Sequence, residues 1–453
     1  MASKTSGIVG SSELSLFTDL YELTMLRAYH ALGMTDKAVF SLFVRKLPAH
    51  RNYLLACGLE VILDYLETFR FGEGSLTYLG ALPEFPPDFI AWLSELRFTG
   101  DVYAVPEGTP VFANEPILEV VAPIAEAQTI ETFVLNQIEL QTILASKAAR
   151  VVTAAKGRPV VDFGSRRAHG IDSALQGARA FRIAGVSATS NLLAGQRFGI
   201  PVSGTVAHSF IEACASETEA FRQFAALYPD TTLLVDTYDT LAAVKRIIAL
   251  ARELGPEFQI SAIRLDSGDL EALSKASRGL LDAAGLRHVK IFASGGLSED
   301  KIDRLLADNA PIDAFGVGTD MSVSEDAPAL DIAYKLTEYA ELGRMKLSTA
   351  KHTLPGRKQV FRDFRDGIAM SDVIARADEQ LPGAPMLKPV MKGGRRIGPS
   401  PSLESIRSYS AQALVALPTA VKDLKAADPS YPVKISPALV AEEEAVRRRL
   451  SAS

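Results

Sequence analysis

The segment GTVAHSF, Gly204 to Phe210, sets one histidine, His208, among small residues where the apolar run IPVSG gives way to a helical pattern. An imidazole at a strand-to-helix junction can be aimed into a cleft, and small neighbours leave room for a ligand. A tight turn holding a backbone-satisfied histidine would use the same residues. Asp236, closing the apolar run of TTLLVDTYDT, adds a partner. A carboxylate beside an imidazole fixes its tautomer and raises the basicity of the other ring nitrogen, so the pair suits acceptance of a phosphoryl group.

Phosphate handling is the second theme. ASGGLSED puts Gly295 and Gly296 before a helix opened by Ser298, and FGVGTD puts Gly316, Gly318 and Thr319 at the end of the next apolar run. Backbone N–H groups exposed at such turns cradle phosphate oxygens, although ordinary tight turns use the same glycines. RLDSGDL holds Arg264, Asp266 and Asp269. Asp269 reads as a helix N-cap. Arg264 and Asp266, two apart on a strand, face the same way and could hold a phosphorylated, hydroxyl-bearing sugar. DFGSRRAHG adds Arg166 and Arg167, which also read as solvated surface charge, after Phe163, whose spacing favours the core.

Such residues need a scaffold that gathers them. Between Pro159 and Asp320 apolar runs recur, each passing into Gly, Ser, Thr or Asp and then a helical pattern: PVVDFGSRRAHG, AGVSATSN, PVSGTVAHSF, TTLLVDTYDT, ISAIRLDSGD, VKIFASGGLSED and DAFGVGTD. In DTLAAVKRIIALARELGP, Leu241, Val244, Ile248 and Ala251 share a face, Asp239 can cap the start, and Gly255 with Pro256 stops the helix. Strands buried on both faces and joined by helices predict a parallel sheet. Units repeated in this way suit an α/β barrel, whole or incomplete, better than a sheet with two wings. Barrel sites lie at the carboxyl ends of strands, where Arg166, His208, Asp236, Arg264, Asp266, Gly295, Gly296, Gly318 and Thr319 fall.

Around this core the chain divides into a flexible segment over 1–14, a mixed α+β domain over 15–135, the barrel over 136–345, and a C-terminal segment of basic loop and helices over 346–453 that packs on the N-terminal domain. LFTDLYELTMLRAYHALG predicts a helix ending at Gly33, AVFSLFVRKL a strand, and DVYAVPEGTPVFANEPILEVVAP hairpins. The stretch from Ala125 to Gly157 predicts one long helix, LSTAKHTLPGRKQVFR a basic, turn-rich segment, and MKGGRRIGPSPS a loop.

A net charge of −6 over 453 residues, with no concentrated basic block, speaks against nucleic acid as a partner. Cys57 and Cys214, the only cysteines, are too few for a disulfide framework or a four-cysteine zinc site and point to a reducing compartment. No stretch reaches the roughly 18 uninterrupted apolar residues of a membrane span, and the first residues lack a hydrophobic signal core. A cytoplasmic protein is expected.

Taken in order, LFTDLYELTM, DFGSRRAHG, GTVAHSF, RLDSGD, FASGGLSE, GVGT and KHTLPGRKQVFR resemble the nicotinate phosphoribosyltransferases over roughly residues 15 to 365. The resemblance implies a type II phosphoribosyltransferase fold, an incomplete α/β barrel beside a mixed α+β domain. It implies the conversion of nicotinate and 5-phosphoribosyl 1-pyrophosphate to nicotinate mononucleotide and pyrophosphate in NAD salvage, with Mg²⁺, and with ATP phosphorylating His208. On the same basis Asp236 orients His208, and Arg264, Asp266, Gly295, Gly296, Gly318 and Thr319 line the phosphoribosyl site. Arg166 and Thr205 lie near nicotinate, and Phe163 and Tyr21 flank its ring. Tyr21 is expected from a neighbouring subunit, which makes a homodimer with shared sites. Lys351 and Arg357 reach phosphates. Nicotinamide-using relatives carry an aspartate that accepts the amide N–H, and Ser187 in AGVSATS is its expected counterpart.

Other readings remain at this stage. A nicotinamide or quinolinate phosphoribosyltransferase would share the general fold, but quinolinate's two carboxylates call for a more basic pocket. A phosphate-binding isomerase would need a lysine or an acid/base pair at the strand ends, and none is persuasive. A non-catalytic regulatory barrel binding phosphorylated ligands would keep the pocket without turnover.

Overall fold

The computed structural model describes residues 9–347 and 353–452. It divides into two compact units, one of Met1–Thr142, Ala329–Lys422 and Ala426–Ser453, the other of Ile143–Pro328 with Asp423–Lys425. Among the described residues no helix is long and apolar enough to cross a membrane.

The second unit carries a six-stranded parallel sheet. In spatial order the strands are Ala188–Thr189, Val160–Asp162, Ala314–Val317, Lys290–Ala293, Ala262–Leu265 and Thr232–Leu234, and an isolated parallel bridge joins Thr189 to Val202 beyond the first. Read from Val160 onward, these segments follow chain order around a ring. The order is that of an α/β barrel with one seam, between Val202 and Thr232–Leu234, closed by no ladder among the described residues. The strands are contiguous apolar runs because both faces are covered: Leu233, Leu234, Ile263, Leu265, Ile291, Phe315 and Val317 are fully buried. The intervening helix Thr240–Leu254 is capped by Asp239, whose Oδ1 accepts the Ala242 N–H at 2.7 Å, and Gly255 leaves it at φ 53°. Its buried face runs through Ala243, Val244, Ile247 and Ile248, rotated from the expected one, and Leu241 is only half-buried.

The first unit is built on a seven-stranded antiparallel sheet in which Lys37–Val44 lies between Ile332–Tyr339 and the central strand Pro116–Pro123. Because Ile332–Tyr339 pairs with Lys37–Val44, the barrel unit ends at Pro328 and not at 345. It also begins at Ile143, within the helix Glu131–Ala154, and not at 136. That helix is separate from Ile124–Thr129, so the expected single helix is two. At the amino end, Ser11–Leu16 is a short 3-10 helix and the next helix runs Leu20–Ala31 from the Asp19 cap position. The expectation of a flexible start at residues 1–8 lies outside the described residues.

The C-terminal segment holds more strand than expected. Lys358–Arg365 and Ile368–Arg376 form an antiparallel hairpin turned at Asp366 and Gly367, with φ of 51° and 77°. MKGG, expected as a loop, is a second hairpin, Lys388–Lys392 with Arg395–Arg396, turned at Gly393 and Gly394 with φ of 57° and 71°. Asp-Gly and Gly-Gly are the residue pairs that admit two left-handed positions in a two-residue turn.

Phe315, fully buried in its barrel strand, tests the packing. Phe315→Ala is expected to destabilise the protein by about 3–5 kcal/mol, and Leu227→Ala, at an exposed position, by no more than roughly 0.5 kcal/mol, both read from denaturant midpoints.

Candidate active site

The carboxyl ends of the barrel strands surround a cleft of about 480 Å³ whose lining comes wholly from the second unit. Arg264, on Ala262–Leu265, is its most constrained group. Nε donates to Ser294 Oγ at 2.8 Å, Nη1 to Thr205 Oγ1 at 2.6 Å and Nη2 to Asp266 Oδ1 at 2.7 Å. The guanidinium also lies 5.2 Å from the centre of the Phe163 ring, which tilts against Phe292. Asp266 accepts a further hydrogen bond from Ser294 Oγ at 2.5 Å. Burial pushes its carboxyl up, but the bonds from Ser294 and Arg264, with the charges of Arg264 and His208, outweigh this and hold it below the usual range.

His208 opens the helix His208–Ala213 and keeps 41% of its side chain exposed. Its Nδ1 lies 3.1 Å from Thr237 Oγ1 and its Nε2 3.9 Å from Asp266 Oδ2. Asp236 was expected to orient the imidazole, and the structure corrects this. Asp236 Oδ2 instead accepts the Asp266 backbone N–H at 3.0 Å and the Ser267 hydroxyl at 2.5 Å. The reason is the turn after Thr232–Leu234, which carries Asp236 toward the neighbouring strand end and leaves Thr237 beside the ring.

Both glycine loops border the cleft, with Gly295, Gly296, Gly318 and Thr319 in its wall. Gly295, at φ +88°, admits no other residue, since a Cβ there would stand 1.6 Å from the Asp266 carbonyl oxygen. A Cβ on Gly316 would meet the Phe163 ring at 2.6 Å. Thr205, Phe163 and Arg166 also line the cleft, as does Arg167 beside them on the 3-10 turn Ser165–Arg167. The cleft lining carries three guanidinium groups, of Arg166, Arg167 and Arg264, against two carboxylates, of Asp266 and Asp320, a balance that favours an anionic ligand.

Other expected residues lie elsewhere. Ser187 sits at the amino end of Ala188–Thr189, its N–H bonded to the Val160 carbonyl and its own carbonyl to Arg182. Ser190, beyond the carboxyl end of the same strand, is the serine that borders the cleft. Tyr21, on Leu20–Ala31 of the first unit, is 47% exposed. Burial and the carboxylates of Glu131, Glu22 and Asp19 push its phenol above the usual range. Arg357, also in the first unit, stacks over Tyr103 at 4.4 Å and borders a surface hollow with Arg376, Asp378 and Glu442. Lys351 lies outside the described residues. Thr237, Ser190 and Ser294 went unnoticed because a lone hydroxyl residue beside a charged one carries no spacing signal.

The N-terminal domain of nicotinate phosphoribosyltransferase matches residues 16–139, the C-terminal domain of quinolinate phosphoribosyl transferase 144–335, and the C-terminal domain of nicotinate phosphoribosyltransferase 384–442. A nicotinate phosphoribosyltransferase of Mycobacterium tuberculosis is 55% identical over 94% of this chain and 93% of its own length. One from Bacillus subtilis is 46% identical over 81% of this chain and 77% of its own. Among solved structures, human nicotinic acid phosphoribosyltransferase superposes with a TM-score of 0.84 at 27% identity, covering 95% of this chain and 99% of that one. Nicotinate-nucleotide pyrophosphorylase from Pyrococcus furiosus superposes at 0.76 with 26% identity, covering 91% and 99%. With its sequence matched almost end to end by such relatives and its barrel mouth assembled as described, the chain belongs to the nicotinate phosphoribosyltransferase family.

Proposed function

We propose that the cleft joins nicotinate to the ribosyl carbon of 5-phosphoribosyl 1-pyrophosphate, giving nicotinate mononucleotide and pyrophosphate for NAD salvage. The observation that carries this reading is the Arg264–Asp266 pair standing between an imidazole and two glycine loops at one barrel mouth. The ring nitrogen of nicotinate has a free lone pair near neutral pH, so no strong base is required. A bond forms from that nitrogen to the ribosyl carbon as the bond to the pyrophosphate oxygen breaks, and the barrier lies in the cationic sugar and the charge of the leaving group. Asp266, held ionised, faces the first, while the cleft arginines and the loop N–H groups answer the second.

ATP enters through His208: the bond from the γ-phosphorus to its bridging oxygen breaks to leave ADP, and a phosphorus–nitrogen bond forms at Nε2. The support is that Nδ1 is engaged by Thr237, while His208 borders the cleft and its Nε2 lies on the side of Asp266, another cleft residue. Asp236 and Asp266 are the carboxylates that fit Mg²⁺, since Asp236 Oδ1 is buried without a hydrogen-bond partner. Among the described residues no group of three or more ligating side chains could hold a metal unaided, so the ion would share its coordination with substrate phosphates. It would neutralise charge on the departing pyrophosphate. Phe17, Leu20 and Tyr21, exposed at 40%, 56% and 47%, support a homodimer in which Tyr21 of the partner subunit covers the nicotinate ring. A reducing, cytoplasmic setting agrees with two free cysteines.

The test is mononucleotide formation from nicotinate, nicotinamide or quinolinate, with and without ATP. Product from nicotinate, increased by ATP, is expected, together with label from γ-labelled ATP that disappears in His208→Ala. Ligand binding without product would overturn the reading.

Selectivity for a carboxylate is assigned to Ser190, in place of the expected Ser187. Two carboxylates about 4 Å apart repel by about 4 kcal/mol at an effective dielectric constant of roughly 20. Ser190→Asp is therefore expected to lower the ratio of kcat/KM for nicotinate over nicotinamide by at least about tenfold. An unchanged ratio removes Ser190 from the specificity site.

A further inference from the structure

Beneath the two glycine loops lies a buried charge cluster that the reaction described above does not use. Lys147, on the helix Glu131–Ala154, is 1% exposed. Its Nζ stands 2.5 Å from Glu299 Oε2, 2.9 Å from Asp320 Oδ2 and 2.9 Å from Asp326 Oδ1. Two of its donors make hydrogen bonds, to Glu299 and Asp326, while Asp320 Oδ2, buried without a hydrogen-bond partner, is held at ion-pair distance by the charge. One helical turn further along, Arg150 Nε reaches the other oxygen of Glu299 at 2.8 Å.

The partners stand at informative places. Glu299 begins the helix Glu299–Ala307, directly after the loop that holds Gly295 and Gly296. Asp320 follows Gly318 and Thr319, and it borders the cleft. One ammonium therefore bridges both loops from below.

We propose that Lys147 is a positioning residue of the phosphate site: it ties the Gly295–Gly296 loop to the Gly318–Thr319 loop and masks the charge of Asp320, so that both loops hold one anion. The proposal rests on phosphoribosyl pyrophosphate being the ligand and deepens that reading.

Asp320 is the reason that masking matters. A bare carboxylate on the wall of a phosphate cleft would repel the substrate. Burial pushes the Asp320 carboxyl up, and Glu299 and Asp326 add repulsion against the opposing pull of Lys147. Glu299, despite its burial, is held below the usual range by Lys147 and Arg150. The ammonium thus keeps three acidic groups together where the fold needs the two loops adjacent. Arginine carries the same charge, but its planar fork cannot point at three separate carboxylates in the same way.

The experiment measures phosphoribosyl pyrophosphate binding by calorimetry, and KM for both substrates, in the whole enzyme and in Lys147→Met, Lys147→Arg and Lys147→Met/Asp320→Asn, with melting temperatures alongside. Lys147→Met is expected to weaken phosphoribosyl pyrophosphate binding at least about tenfold while KM for nicotinate stays within about twofold. Lys147→Arg should recover part of the loss. The double variant should bind more tightly than Lys147→Met, since it removes the carboxylate that the lysine masked. A purely structural lysine would give no such recovery. Unaltered binding in folded Lys147→Met, or a double variant no better than the single, overturns the proposal. If Lys147→Met fails to fold, Asp320→Asn alone decides: binding at least as tight as wild type supports the masking role, and a tenfold loss refutes it. The binding arm is read without turnover, so an enzyme that binds phosphoribosyl pyrophosphate but forms no product from nicotinate would fail the functional reading while leaving this one measurable.

Discussion

Arg264 sets the register of the cleft. Its guanidinium is a rigid plane of donors, and three of its nitrogens are committed to Ser294, Thr205 and Asp266 while its face lies against Phe163. Each contact belongs to a different functional segment. Thr205 lies three residues before His208, Ser294 immediately precedes Gly295, and Phe163 leads into Arg166. Moving the guanidinium would shift the histidine segment, a glycine loop and the Phe163 ring together. At 14% side-chain exposure such a charge is tolerable because Asp266 and two hydroxyls replace the water it has lost.

Strand register explains why these groups meet at all. Leu265 is level with Ala293 in the parallel ladder, so the next residues, Asp266 and Ser294, emerge side by side. Leu234 is level with Arg264, which puts Asp236 beside Asp266 two positions later. Val317 is level with Asp162, which sets Gly318 next to Phe163. The backbones then come so close that Gly295 has no room for a side chain. The active-site geometry is in this sense a property of the ladder, and the side chains inherit it.

That inheritance decides what could be read from the sequence. Parallel strands buried on both faces leave unbroken apolar runs, and the polar residues that end each run are the ones that can reach the mouth, so the barrel and the place of Arg264, Asp266 and the glycine loops at its mouth were legible. The partner of His208 was not. Asp236 and Asp266 end adjacent strands, and a turn of two residues determines which of them, or Thr237, meets the ring. Ser187 and Ser190 flank Ala188–Thr189, a strand of only two residues, too short for a pattern to mark which of them lies at the cleft end. Lys147 was invisible for another reason: one lysine in a 24-residue helix looks like a solvated residue until its acidic partners, more than 150 positions away, are folded against it.

The open seam of the barrel accounts for the small residues around the histidine. Val202 pairs with Thr189 on one side, and among the described residues no ladder joins it to Thr232–Leu234 on the other. The chain from Ser203 to Ala207 is therefore attached across the seam by side chains, through Thr205 to Arg264 and His208 to Thr237, and not by a row of backbone hydrogen bonds. Bulky residues there would fill the part of the cleft that Gly204 to His208 line. A ladder would add a hydrogen bond at every second residue and fix the imidazole as firmly as the sheet. Two side-chain bonds, each contributing about 0.5–1.5 kcal/mol net, hold it more lightly, so the imidazole can change partners without unpairing the sheet.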